Sequence, residues 1–354
     1  MSTSKLPTTM YAWRKHRGSR KPIYEEVPVP NLSPNDVLCK MLASGVCRSD
    51  HSLLTIDKQP SWFEEKYILG HEGCGQVIEL GSAVRTNDIK VGDIVALHAV
   101  PGCGEEDCPE CSHDLSQLCE RGHHSGIGQD GFYAPYAVVG IWGVVKVPEG
   151  VTPAEAAVAT DAVSTAYHAI MRRGEVKQEE TVFLFGLGGL GFNALQILLY
   201  TGARVIVSDI RQDLLNEAEH LGIPSSDIVP VGTSPQDFVI ENGLSSKIDT
   251  VLDFVGTHQT FEDAQHIVRR GGKLLCIGSL DTENTIHMKI GTRKRLSFIF
   301  SYGAQVEDLK QVLELIAAGH IRPRVETRKI PKFEQVLEEL VDGKIKSRVA
   351  LIHE

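Results

Sequence analysis

The hexapeptide Gly186-Leu187-Gly188-Gly189-Leu190-Gly191 constrains the fold of this 354-residue chain more than any other feature. A G-x-G-x-x-G pattern is informative only between a strand and a helix, and both neighbours are present. Ahead of it, Val182-Phe183-Leu184-Phe185 is the continuous apolar run of a parallel strand buried on both faces. Behind it, Asn193 to Tyr200 has helical character and stops at Gly202. The rhythm continues with Arg204 to Ser208 as strand, Gln212 to Leu221 as helix, and Thr250 to Phe254 and Lys273 to Ile277 as further strands. Such alternation specifies an α/β domain built on a doubly wound Rossmann sheet. In the turn, Gly186 permits the sharp bend, Gly188 lets the backbone approach a pyrophosphate, and Gly191 lets helix and strand pack closely. Leu187, Gly189 and Leu190 complete the turn, whose free N–H groups at the helix start attract phosphate. Asp209 closes the next strand, 23 residues after Gly186, placed to accept hydrogen bonds from ribose hydroxyls. A carboxylate there favours NAD over NADP, and Arg211 close by weakens that preference.

The region before Pro148 has a different texture. Val37 to Met41, Gly75 to Glu79 and Asp93 to Leu97 are short β-like runs broken by Gly and Pro, as in a compact β-rich domain whose first strand includes Met10-Tyr11-Ala12-Trp13. Ala154 to Met171 is Ala-rich with helical spacing, a helix leading from one domain to the next. Two further helices, Gln305 to Gly319 and Lys332 to Gly343, precede the apolar run Val349 to Ile352, a strand returning to the first domain. With 36 Lys+Arg against 46 Asp+Glu, the net charge of −10 argues against nucleic acid or an anionic membrane as partner. No apolar run approaches the roughly 18 residues of a membrane span. The polar, basic start from Met1 to Arg20 lacks the apolar core of a secretory signal, so the expectation is a cytoplasmic protein.

Four of the eight cysteines, Cys103, Cys108, Cys111 and Cys119, fall within 17 residues. Four soft ligands on a turn-rich loop form the closed tetrahedral shell of a structural zinc site. His113, His123 and His124 lie near enough in sequence to replace one of them. A second, dispersed set comprises Cys47 and Gly70-His71-Glu72. Thiolate, imidazole and carboxylate suit zinc with an open coordination position, but spacing alone does not separate that reading from ordinary core residues.

The run Gly70-His71-Glu72-x2-Gly75-x5-Gly81-x2-Val84, followed by Lys90-Val91-Gly92-Asp93-Ile94-Val95, resembles the zinc signature of the zinc-containing medium-chain alcohol dehydrogenases. The resemblance continues in family order from Tyr11 to the C-terminal strand. It implies a GroES-like catalytic domain of residues 1–159 and 300–354, and a NAD-binding Rossmann domain of residues 160–299. It implies NAD and two zinc ions per chain, an alcohol or aldehyde substrate, and a homo-oligomer, tetramer or dimer. The catalytic zinc would be held by Cys47, His71 and a third ligand. Many relatives carry cysteine there; the matching segment, Ala159 to Thr165, presents Asp161. An oxygen in place of sulfur makes the metal a harder, stronger Lewis acid. By the same resemblance Glu72 is an alternative ligand, Ser49 takes the substrate proton, and Asp50 orients His71. Thr165 and Tyr302 border the nicotinamide, with Val255, Ile277, Gly278 and Ser301 as further cofactor contacts. Arg348 matches an arginine that pairs near Asp50 or the cofactor. Two departures stand out. The usual relay histidine position is Ser52, with His51 one residue earlier, and the first gap of the four-cysteine loop has four residues instead of two. The expected activity is oxidation of a primary or secondary alcohol to aldehyde or ketone with hydride transfer to NAD. A polyol or amino-alcohol dehydrogenase and a non-catalytic NAD sensor on the same scaffold are the alternatives.

Overall fold

The computed structural model describes residues 6–354; residues 1–5, the beginning of the polar start, lie outside the described residues. The chain divides into two compact units, Met1–Ser164 with Ala304–Gly319 and Pro323–Glu354, and Thr165–Gly303 with His320–Arg322. Both junctions come a few residues later than the family resemblance implies, and residues 320–322 join the second unit as well. The helix Pro153–Val158 rests on the strands of the first unit, and the π-helical turn Ala159–Val163 that extends it stays with them. Residues 320–322 are held by the second unit: Gln196 exchanges hydrogen bonds with the Arg322 backbone, and His320 packs against Tyr200.

The first unit opens with β1 (Thr9–His16) and β2 (Ile23–Pro28), then β3 (Asp36–Val46), β4 (Lys66–Ile68), β5 (Glu72–Leu80), β6 (Ile94–His98), β7 (Tyr136–Gly140) and β8 (Val144–Lys146). β1 pairs antiparallel with β2 and β4 in a small sheet. It buries Met10, Ala12 and Trp13 in a core with Tyr67, Leu69, Tyr133 and Phe333.

In the second unit five parallel strands follow: β9 (Thr181–Phe185), β10 (Arg204–Ser208), β11 (Thr250–Asp253), β12 (Lys273–Cys276) and β13 (Ser297–Phe300), in the order β10-β9-β11-β12-β13. Beyond β10 a single parallel bridge, Val207 to Ile228, marks the place of a sixth strand. The order reverses between β9 and β11, the switch point where such sheets bind ligands. Phe183, Phe185, Ile206, Val251 and Leu274 fill the core on one face. β13 was not legible in the sequence, where the strand pattern ends near Gly278. It is a four-residue edge strand whose apolar run, Phe298 to Phe300, is too short for periodicity to tell a strand from a helix segment.

The chain then returns to the first unit. β14 (Val325–Lys329) and β15 (Arg348–Ile352) complete a seven-stranded sheet, β14-β15-β3-β5-β6-β8, with β7 also on β3. The C-terminal apolar run is thus a strand of the first unit, as expected, and it pairs antiparallel with β3. Among the described residues no helix is long and apolar enough to cross a membrane.

Candidate active site and metal centres

In the first unit, three chain segments converge on one point. β3 ends at Val46, and Cys47 begins the helix Arg48–Thr55, its N–H donating to Asp50 Oδ2 at 2.9 Å. His71 and Glu72 stand at the entry to β5. Asp161 projects from the π-helical turn Ala159–Val163, an irregularity frequent at functional sites. One donor atom from each of Cys47, His71, Glu72 and Asp161 lies within 4.8 Å of all the others. Cys47 Sγ is 3.6 Å from Asp161 Oδ2, and His71 Nε2 is 3.8 Å from the same oxygen. Ligands bound tetrahedrally to zinc at about 2.0–2.3 Å stand about 3.3–3.8 Å apart, so the cluster has the size of a zinc shell. Cys47, His71 and Glu72 are buried, whereas the Asp161 side chain is 24% exposed, leaving the cluster open on that side.

The surrounding groups hold these donors in place. Asp50 Oδ1 faces His71 Nδ1 at 3.4 Å, and Asp50 Oδ2 accepts from the Tyr133 hydroxyl at 2.8 Å. Arg348, at the start of β15, ion-pairs with Glu72 Oε1; Glu72 Oε2 is buried without a partner. The Glu72 carboxyl is pushed up to about 7, chiefly by burial and also by Asp161, against the opposing pull of Arg348 and His71. An unpartnered oxygen inside the donor cluster is what a metal-facing ligand leaves when no ion is present. Gly45 makes room for it, since a Cβ there would lie 2.0 Å from Glu72 Oε2.

Several sequence expectations resolve here. Ser49 is exposed, with Oγ 3.5 Å from Cys47 Sγ, beside the donors. His51 is half-buried on the same helix and outside the donor cluster. Arg348 is paired with Glu72, not with Asp50. Tyr133 and Gly45 escaped sequence reasoning. A buried hydroxyl and a missing side chain take their meaning from neighbours distant in the chain.

The second constellation is compact. Cys103 Sγ and Cys111 Sγ are 3.8 Å apart, Cys108 Sγ and Cys119 Sγ 3.6 Å. Four thiolates around zinc at about 2.3 Å stand about 3.8 Å from one another, far from the roughly 2 Å of a disulfide. The three nearby histidines hydrogen-bond to carbonyls instead: His113 to Pro109, His123 to Asp130 and His124 to Cys119. In the lengthened first gap, Glu105 and Asp107 both pair with Arg121, which folds the extra residues back on the loop.

The second unit carries its own site. Adjacent strands end in register: Phe185 is level with Ser208 and Asp253, Asp253 with Cys276, and Cys276 with Phe300. Gly186–Gly191, Asp209, Val255, Ile277, Gly278, Ser301 and Tyr302 therefore leave the sheet at one edge, beside the switch point. Gly186 has φ +84°, and a Cβ on Gly191 would lie 1.9 Å from Gly186 O. A Cβ on Gly188 would meet nothing nearer than Arg211 at 4.0 Å, so the turn is open to a ligand there. Asp209 Oδ2 accepts from Leu187 N–H at 2.7 Å and Oδ1 from Arg211 N–H at 2.9 Å, so the acid also braces the turn. Thr165 is buried at the start of this unit, and Tyr302 is exposed.

A parallel sheet with a glycine turn at its switch point, together with a β-rich unit presenting a zinc-sized donor set, defines the class of two-unit oxidoreductases. Residues 33–149 match the family model of the alcohol dehydrogenase GroES-like domain, and residues 189–318 that of the zinc-binding dehydrogenases. An alcohol dehydrogenase of Geobacillus stearothermophilus is 31% identical over 328 residues, 92% of this chain and 94% of that one. Another, of Rhizobium meliloti, is 30% identical over 93% of this chain and 94% of its own. Among solved structures, acetophenone reductase from Geotrichum candidum in complex with NAD superposes with a TM-score of 0.88 at 30% identity, covering 99% of both chains. The alcohol dehydrogenase of Aeropyrum pernix gives 0.87 at 27% identity over 97% of this chain and 100% of that one. The chain belongs to the zinc-containing medium-chain alcohol dehydrogenase family.

Proposed function

We propose that this protein is a zinc-dependent alcohol dehydrogenase that oxidises a primary or secondary alcohol to an aldehyde or ketone with NAD as hydride acceptor. The observation that carries the reading is the meeting of Cys47, His71, Glu72 and Asp161 within 4.8 Å. When bound, zinc supplies Lewis-acid polarisation of the alcohol oxygen and NAD supplies the redox chemistry. The protein's own part is position and proton handling. Cys47, His71 and Asp161 hold the metal, with Glu72 as an alternative ligand restrained by Arg348. Ser49, an exposed hydroxyl beside Cys47, takes the alcohol proton towards water, while Asp50 fixes the His71 ring. The four thiols of the loop hold a second, structural zinc.

The open turn at Gly188 receives the pyrophosphate and Asp209 the adenosine ribose, with Thr165, Val255, Ile277, Gly278, Ser301 and Tyr302 as further contacts. Arg348, buried against Glu72, serves the metal side of the reading. The eight unpaired cysteines suit the reducing cytoplasm, and a homo-oligomer, dimer or tetramer, is the expected assembly.

Two measurements test the reading. An alcohol and aldehyde panel run with NAD and NADP, before and after chelation, is expected to show NAD-linked oxidation that chelation abolishes and zinc restores. Activity that survives complete removal of zinc would overturn it. Asp209→Ser is expected to weaken NAD binding about tenfold, the loss of charge-assisted hydrogen bonds, while narrowing the preference over NADP. Equal NAD affinity in the variant would remove Asp209 from the ribose site.

A further inference from the structure

Tyr133 is fully buried in the first unit, on the stretch between Gly131 and β7. Its ring packs against Phe333, centroids 4.5 Å apart, and covers Gly70, where a Cβ would come within 2.5 Å of it. A phenylalanine would fill that space equally well. What distinguishes tyrosine is one hydroxyl, and burying a hydroxyl is costly unless it is hydrogen-bonded. Its two acceptors, Asp50 Oδ2 and Gly45 O, each lie 2.8 Å away. A phenol has a single proton, and an ionised carboxylate is the stronger acceptor.

The consequence is geometric. Asp50 Oδ2 is held from two directions, by the Cys47 N–H at 2.9 Å and by the Tyr133 hydroxyl. A carboxylate pinned twice at one oxygen cannot swing about its own bonds. Its other oxygen, Oδ1, is thereby kept 3.4 Å from His71 Nδ1, while His71 Nε2 stays on the Asp161 side of the ring. With only the Cys47 N–H left, the carboxylate could turn away and the imidazole would lose its aim. We infer that Tyr133 is a positioning residue for the metal ligand His71, acting through Asp50. The inference rests on the proposed catalytic zinc at Cys47, His71 and Asp161.

The test is Tyr133→Phe, read in the zinc-loaded full-length protein by the rate of zinc loss to 1,10-phenanthroline and by steady-state kinetics. Cys47→Ser, in the same series, identifies which zinc belongs to the cluster. The expected result is loss of the Cys47-dependent zinc about tenfold faster than in the parent, at the low end for groups that orient metal ligands. kcat falls with little change in KM, and the metal-free protein melts only slightly lower, by the one buried hydrogen bond removed. In an Asp50→Ala background the same substitution is expected to add nothing, because the hydroxyl would have no side-chain acceptor there to hold. Three results would overturn the inference: an unchanged release rate, a tenfold effect that persists without Asp50, or a loss of metal-free stability as large as that of the loaded protein. If Cys47→Ser left the zinc content as it was, the catalytic-zinc reading itself would fall, taking Tyr133 with it.

Discussion

Cys47→Ser is expected to lower turnover by about three orders of magnitude or more, the scale of several kcal/mol of lost charge stabilisation. NAD affinity is expected to stay at the parental level. The reasoning is chemical. A thiolate binds zinc as a soft anion, and a serine hydroxyl of similar volume remains protonated near neutral pH. The substitution removes one of the three ligands of the Cys47, His71 and Asp161 set. His71 and Asp161 alone would hold the ion weakly. The fold has little reason to suffer, because a serine hydroxyl can meet the same polar neighbours as Cys47 Sγ, Ser49, Asp161 and His71, and the backbone bond from Cys47 N–H to Asp50 remains. The Gly186–Gly191 turn, formed within the second unit, is untouched. The measurement pairs turnover with NADH fluorescence titration and zinc content. Parental activity with depleted zinc would refute the role of the metal; parallel loss of NADH binding would show that the variant is misfolded.

What the sequence revealed follows from how local each feature is. The glycine turn was legible because its demands lie within one strand–turn–helix unit: Gly186 must adopt positive φ and Gly191 must leave room for Gly186 O. The four-cysteine loop was legible for a similar reason, and its thiols close on one another within a single loop. Cys47, His71 and Asp161 are separated by long stretches, so spacing was silent and only resemblance to a family brought them together. The pairing of Arg348 with Glu72 joins residues 276 positions apart. No pattern in one sequence encodes such a pairing. The π-helical turn at Asp161 was equally hidden, since Ala154 to Met171 has the composition of an unbroken helix. β13 failed to show because its apolar run, Phe298 to Phe300, is too short for periodicity to tell a strand from a helix segment.

Arg348→Met is expected to destabilise the protein by about 3–5 kcal/mol, the cost of leaving one member of a buried ion pair without its partner. Arg348 and Glu72 have side chains 6% and 0% exposed, so neither water nor salt can take the place of the other. Without the guanidinium, Glu72 would face Asp161 across a buried cluster with His71 as the cation left to offset its charge. Its carboxyl, already pushed above the usual carboxylate range, would rise further and take up a proton in the folded state. A carboxyl raised in the folded state binds more protons there than in the unfolded chain, so the deficit is expected to shrink towards about pH 5 and widen towards about pH 8. Pairing the change with Glu72→Gln is expected to recover much of the loss, because it removes the orphaned charge along with its partner. Urea unfolding of the metal-free proteins at both pH values checks all three expectations. An arginine whose main task was to contact the cofactor would give another pattern: weakened NAD binding, parental stability and no gain from the second substitution.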